Sequence, residues 1–248
     1  AWHVNVEGHR RLLEAVRHNA PGARFLFTSS TATFGALPDG APPPSDATKQ
    51  LPQNTYGCHK GVCEMMLNEY SRRGWVDGRG LRLPVIVVRP GAPNKAATTC
   101  WSSAVREPLA GVDARIPVPA GSRLPVASYQ AATSAMQQLL SGVDGAELGH
   151  DRVLTLPSLS LTPAELHAAA VAEGSRRGLA HVGALVEEVD ELASTVVGSM
   201  SASVDGGRAR GLGLESDSSA SSIVGGYAED VFDSRAESRA PPEGDFSE

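Results

Sequence analysis

Between Val4 and Ala20 the apolar residues Val6, Leu12, Leu13 and Val16 recur at helical spacing among His9, Arg10, Arg11, Glu14 and Arg17, which predicts a helix with one buried stripe. Pro21 and Gly22 end it. The short apolar and aromatic run from Arg24 to Thr28, followed by the hydroxyl cluster Ser29 to Thr33, predicts a buried strand with that cluster at its carboxyl end. Prolines at 38, 42, 43, 44 and 52 exclude regular structure from Ala36 to Asn54 and predict an excursion over the surface. Helical spacing resumes from Tyr56 to Arg73 through Val62, Met65, Met66, Leu67 and Tyr70, with Gly74 as the stop. Leu83 to Val88 reads as a second buried strand. Helix, strand, helix, strand is the alternation of a parallel α/β sheet.

Beyond Arg89 the pattern loosens. It predicts helices near Thr98–Ala110 and Tyr129–Leu140, strands at Arg115–Val118 and Val153–Leu156, and a helix opening at Thr162, where Pro163 and Glu165 complete a start signal. Gly198 to Gly226 holds more Ser and Gly than a well-packed helical tail should, and Ser234 to Glu248 reads as a disordered tail.

The 248 residues, 41% of them apolar, suffice for one large domain or two small ones. A net charge of -6 repels nucleic acid and anionic lipid, and no apolar run approaches the roughly 18 residues of a membrane span. Cys58, Cys63 and Cys100 form no C-x-x-C pair and imply reduced thiols in a cytoplasmic setting. A metal site from Cys58, His59 and Cys63 fails because neighbours 58 and 59 point to different helix faces, so no metal is expected. The absence of Gly-x-Ser-x-Gly excludes the hydrolase nucleophile elbow.

Tyr56 and Lys60 stand four apart near the start of a predicted helix, stacked one turn from each other. An ammonium beside a phenol favours the phenolate and is expected to lower its pKa from about 10, so that the oxygen accepts a proton from an alcohol. With four tyrosines and three lysines in 248 residues, a chance Tyr-x-x-x-Lys is expected only about 0.05 times. Ser30 lies at the end of the first predicted strand, where ligands bind in parallel α/β sheets, and is the candidate for holding the substrate oxygen; Thr28, Ser29 and Thr31 are its rivals.

Four blocks in order resemble the extended short-chain dehydrogenase/reductases, NAD(P)-dependent enzymes of nucleotide-sugar and sugar-acid chemistry: Asn5-Val6-Glu7-Gly8 with Leu12-Leu13-Glu14-Ala15; Phe27-Thr28-Ser29-Ser30 through Phe34-Gly35; Tyr56-Gly57-Cys58-His59-Lys60 with Glu64; and Val88-Arg89-Pro90-Gly91. Glu69 to Arg79, Arg89 to Ala97 and Val105 to Gly111 narrow the resemblance to a branch that oxidises the C2 hydroxyl of a four-carbon sugar acid with NAD. The resemblance implies Tyr56 as catalytic base and Lys60 as the residue that lowers its pKa and holds the nicotinamide ribose. It also implies Ser30 as the substrate-orienting hydroxyl, Pro90 and Gly91 along the nicotinamide, Asn5 near the cofactor, and Asn94 and Arg106 toward the substrate. A guanidinium fork at Arg106 suits a substrate carboxylate.

The implied fold is a Rossmann-like doubly wound parallel sheet, its N-terminal strands missing, with a smaller C-terminal α/β substrate-binding region. Residues 1–95 are expected to be the C-terminal part of the NAD-binding domain, 96–233 a mixed substrate-binding region with sheet-completing segments, and 234–248 a tail; a homodimer is compatible with this family. The Gly-x-x-Gly-x-x-Gly turn that cradles pyrophosphate in these enzymes does not precede Asn5, so this chain is expected to be a carboxyl-terminal portion with negligible NAD binding of its own. Tyr129 and Gln130 stand where the branch has proline and arginine. Two other functions compete: a nucleotide-sugar epimerase or dehydratase, and a non-catalytic remnant of the fold.

Overall fold

A computed structural model describes residues 1–38, 40–89 and 96–233. After a π-helical turn at His3–Glu7 come α1 (Gly8–Asn19), β1 (Arg24–Ser30), α2 (Thr55–Arg72), β2 (Asp77–Leu83) and β3 (Val85–Val87). The chain continues through α3 (Cys100–Leu109), β4 (Ala114–Ile116), β5 (Leu124–Ser128), α4 (Tyr129–Gln137), α5 (Gly145–Leu148) and β6 (Val153–Thr155). It closes with β7 (Leu159–Leu161), α6 (Pro163–Arg176), β8 (Leu185–Glu187), α7 (Glu191–Gly198), α8 (Gly207–Gly211) and α9 (Ala220–Ala228).

The first sheet runs β1-β2-β6, all parallel, with Gly80 opposite Val153. Its two faces carry different helices, the doubly wound arrangement. Phe27 and Val153 pack against Leu13 of α1 and Cys63 and Leu67 of α2. Leu26, Leu81 and Leu154, one residue out of phase, pack against Ala132, Ala135 and Leu139 on the other side, as period-two alternation requires. A second sheet, β3-β5-β7, pairs β3 parallel and β7 antiparallel to β5; β4 and β8 form a parallel pair. β6 thus returns from beyond residue 96 to complete the first sheet, while β3 leaves the N-terminal segment to join the second.

The expected strand Leu83–Val88 is in fact the junction of two strands. Pro84 has no N–H for the ladder, so β2 ends before it and β3 starts after it. β2 itself, Asp-Gly-Arg-Gly-Leu-Arg-Leu, escapes a pattern reading because it is buried without being apolar. Gly80 leaves room for Val153, and the two Nη groups of the Arg79 guanidinium donate to the Leu139 carbonyl at 2.6 Å and to Asp77 at 2.7 Å. The start at Thr162 is a complete capping box with Pro163 in the first turn. Gly198 to Gly226 packs better than its composition suggests: Ile223 and Val224 of α9 enter the core around Trp101, followed by Tyr227 and Ala228 on the same helix. The expected tail at 234–248 lies outside the described residues.

Candidate active site

Beyond the carboxyl ends of β1 and β2 opens a cleft of about 950 Å³. Its walls include Ser30 and Thr31 at the end of β1, Tyr56 at the start of α2, Arg89 after β3, Ser103 of α3, and Leu192 of α7.

The geometry of this mouth follows from how α2 begins. The Asn54 side chain caps the helix by accepting from the Gly57 N–H at 2.8 Å. Position 57 must be glycine, since a Cβ would run into the Ala32 carbonyl. That close approach sets the first turn of α2 against the turn that follows β1. Ser30 is extended, and its Oγ accepts from the Ala32 N–H at 3.2 Å. Tyr56, half exposed, lines the same cleft as Ser30. Lys60, one turn on, donates from Nζ to the Thr28 carbonyl at 2.6 Å and stands 5.6 Å from the Tyr56 ring centre.

The electrostatics differ from the sequence expectation. Burial pushes the Tyr56 phenol up, and the nearby Ser30 side chain offsets this only in part. The depression expected from Lys60 is not found. The ammonium is turned toward the Thr28 carbonyl and the Phe27 ring, and burial lowers its own pKa.

Ser29, a rival to Ser30, is committed elsewhere, because alternate strand residues face opposite ways. It donates to Glu64, which also receives Gln50 and, at 3.0 and 2.7 Å, Nε and Nη2 of Arg82. Arg82 reaches Asp46 at 3.1 Å, and Asp46 accepts from Thr155 of β6 at 2.6 Å. This buried network beneath the cleft was missed by motif reading. Its signals were Glu64 continuing the Tyr56, Lys60 spacing and Arg82 lying inside an apolar run.

Arg106 is not on the cleft wall. Its guanidinium donates to the Arg89 carbonyl at 2.9 Å and pairs with Glu107 at 2.6 Å, one turn beyond Ser103. Asn5 also lies off the wall: its amide meets His59 Nδ1 at 3.3 Å and its carbonyl accepts the Cys63 thiol at 3.4 Å. Tyr129 and Gln130 both donate to Asp230, away from the cleft. Pro90, Gly91 and Asn94 lie outside the described residues. The structure therefore brings together Ser30, Tyr56 and Lys60, and sets Asn5 and Arg106 apart from them.

At the ribose end of a nicotinamide cofactor the residues present would offer the Tyr56 hydroxyl, which lines the cleft, and the Lys60 ammonium, which is not on the cleft wall and has two protons beyond the one given to Thr28.

Among the described residues no helix is long and apolar enough to cross a membrane. Residues 1–119 match the model of the NAD dependent epimerase/dehydratase family. The chain is 42% identical to a D-erythronate dehydrogenase of Cupriavidus necator, over 92% of its own length and 68% of that protein's. It is 35% identical to a D-erythronate dehydrogenase of Haemophilus influenzae, over 92% and 70%. The crystal structure of a nucleoside-diphosphate-sugar epimerase from Agrobacterium tumefaciens superposes with a TM-score of 0.82 at 34% identity, covering 94% of this chain and 67% of the other. A parallel sheet wound on both faces, a Tyr/Lys helix at its carboxyl edge and this extent of identity lead to one conclusion: the chain belongs to the NAD dependent epimerase/dehydratase family.

Proposed function

We propose that this protein is an NAD-dependent oxidoreductase that oxidises the C2 hydroxyl of a short sugar acid of the D-erythronate kind. The observation that carries the reading is the Tyr56 hydroxyl on the wall of the cleft that Ser30 also lines, one turn from Lys60. Identity to two D-erythronate dehydrogenases supports the substrate class.

In this reading Ser30 orients the substrate hydroxyl and Tyr56 takes its proton, while Lys60 holds the ribose and balances the phenolate as it forms. When bound, the nicotinamide ring supplies the acceptor for the hydride that leaves C2. Because burial raises the Tyr56 phenol, oxidation speeds up toward alkaline pH. The substrate carboxylate pairs with Arg89, a cleft-lining guanidinium with no carboxylate partner among the described residues. Arg106 acts behind it by fixing the Arg89 carbonyl. Pro90 and Gly91 beside the nicotinamide, and Asn94 beside the substrate, complete the proposal.

Spectrophotometric NAD reduction tests it, with D-erythronate, the neutral tetritol and a UDP-sugar offered in parallel. Turnover of the acid is expected, with Arg89→Leu weakening acid binding by about 2 to 5 kcal/mol and sparing the tetritol. Reaction with the UDP-sugar and none with the acid would overturn the substrate class in favour of an epimerase or dehydratase.

A further inference from the structure

We propose that Glu64 is a positioning residue for the cluster at the cleft, the group that locks the end of β1 and the loop before Tyr56 onto α2. The proposal rests on the roles of Tyr56, Lys60 and Ser30 given above.

Tyr56, Lys60 and Glu64 occupy one stripe of α2 at successive turns, and each engages one of the last three residues of β1. Tyr56 meets the Ser30 side chain, Lys60 the Thr28 carbonyl, and Glu64 the Ser29 hydroxyl. The Glu64 rung is the buried one, its side chain 3% exposed against 4% for Arg82. A carboxylate offers about four lone-pair directions, and here all are used: Ser29 from β1, Gln50 from the loop leading to the Asn54 cap, and Nε and Nη2 of Arg82 from β2. Every partner is a donor. One carboxylate thus ties together the strand that ends in Ser30, the loop that delivers Tyr56 and the neighbouring strand. Glutamine has the same shape but must turn an NH₂ toward one of these donors, so the rung cannot survive the exchange.

Glu64 also bears on the charge of Lys60. The groups facing Lys60 are His9 from α1, Phe27 from β1, and Tyr56, Cys63 and Glu64 from α2. Burial lowers His9 to about 4 and raises the Cys63 thiol to about 11, so both are neutral near pH 7. Cys63 and Glu64 both favour the ammonium, and Glu64→Gln removes the contribution of Glu64.

The chain has three lysines, Lys49, Lys60 and Lys95, so ¹³Cε-lysine NMR resolves Lys60 without cofactor or substrate. In Glu64→Gln the Lys60 midpoint is expected to fall while Lys49 stays put, and kcat to fall about tenfold or more with KM within twofold. A folded Glu64→Gln protein with an unmoved Lys60 midpoint and wild-type kcat, its only change a lower melting temperature, overturns the proposal. If Glu64→Gln does not fold, Ser29→Ala removes one rung and keeps the charge. A drop in kcat at unchanged KM supports the proposal, and wild-type kinetics overturn it. If the wild-type protein turns over no sugar acid, the proposed substrate fails while the NMR titration still decides the role of Glu64.

Discussion

The floor beneath the cleft and the helical core around Trp101 are equally dry and chemically opposite. The floor buries Ser29, Glu64, Arg82 and Thr155 and joins them in one chain, Ser29 to Glu64 to Arg82 to the half-buried Asp46 to Thr155. The core buries Trp101, Val105, Leu166, Ile223, Val224 and Tyr227 from α3, α6 and α9. Apolar burial is non-directional and contributes stability at roughly 25 cal/mol per Å². A buried ion-pair network gains little net energy over apolar packing, but it fixes where each group points. The two regions divide the labour between geometry and stability.

Variants can break that division, and the largest effect is expected at the cleft. Tyr56→Phe keeps the ring and removes the proton acceptor, so turnover should fall on the order of 10²- to 10⁴-fold with an unchanged urea midpoint. A large loss of stability in this variant would mean that the hydroxyl belongs to the scaffold. The opposite signature is expected in the core. Trp101 is fully buried, and its Nε1–H donates to the Leu161 carbonyl at 2.9 Å, so Trp101→Ala should cost about 3 to 5 kcal/mol in urea unfolding. The kcat of the folded fraction should stay near wild type.

His9 tests the border between the two chemistries. This imidazole packs against Phe27 with centroids 4.4 Å apart and the rings tilted by 50°, and its Nε2 finds no partner among the described residues. Burial, opposed in part by a hydrogen bond to the Cys63 backbone, lowers its pKa from 6.5 to about 4. The unfolded chain therefore binds the proton more tightly. The stability contributed by neutral His9 is complete above about pH 6.5 and drains away as pH falls toward 4, by about 3 kcal/mol at most. Urea midpoints between pH 7 and 4.5 should show this slope, and His9→Phe should flatten it. The smallest effect is expected at α6: Thr162→Ala removes the cap, should cost about 1 kcal/mol by thermal unfolding, and should leave turnover alone.

What could be read from the sequence follows the same divide. α1, α2 and the α6 start were legible because their apolar spacing and caps are local signals. Tyr56, Lys60 and Ser30 were legible as a group because spacing along α2 and the strand-end rule both point to one crevice. β2 was not, because Gly78, Gly80 and two arginines are poor strand formers whose burial depends on Leu67, Val153, Leu139 and Glu64, contributed from elsewhere in the chain. Arg106 was placed toward the substrate by the family resemblance, with its guanidinium fork as the physical reason. The Arg89 carbonyl and Glu107, which occupy its guanidinium, are visible only in three dimensions.

The return of β6 to β2 has a consequence for how the protein is made. Gly80 pairs with Val153, 73 residues later, so at about 5 to 20 residues per second of synthesis the open edge of β2 waits roughly 4 to 15 s for its partner. An exposed edge of valine and isoleucine would recruit other nascent chains during that interval. β2 instead presents glycines punctuated by Arg79 and Arg82, charges that disfavour strand-to-strand stacking until β6 arrives. The composition that hides this strand from a reader also guards it on the ribosome.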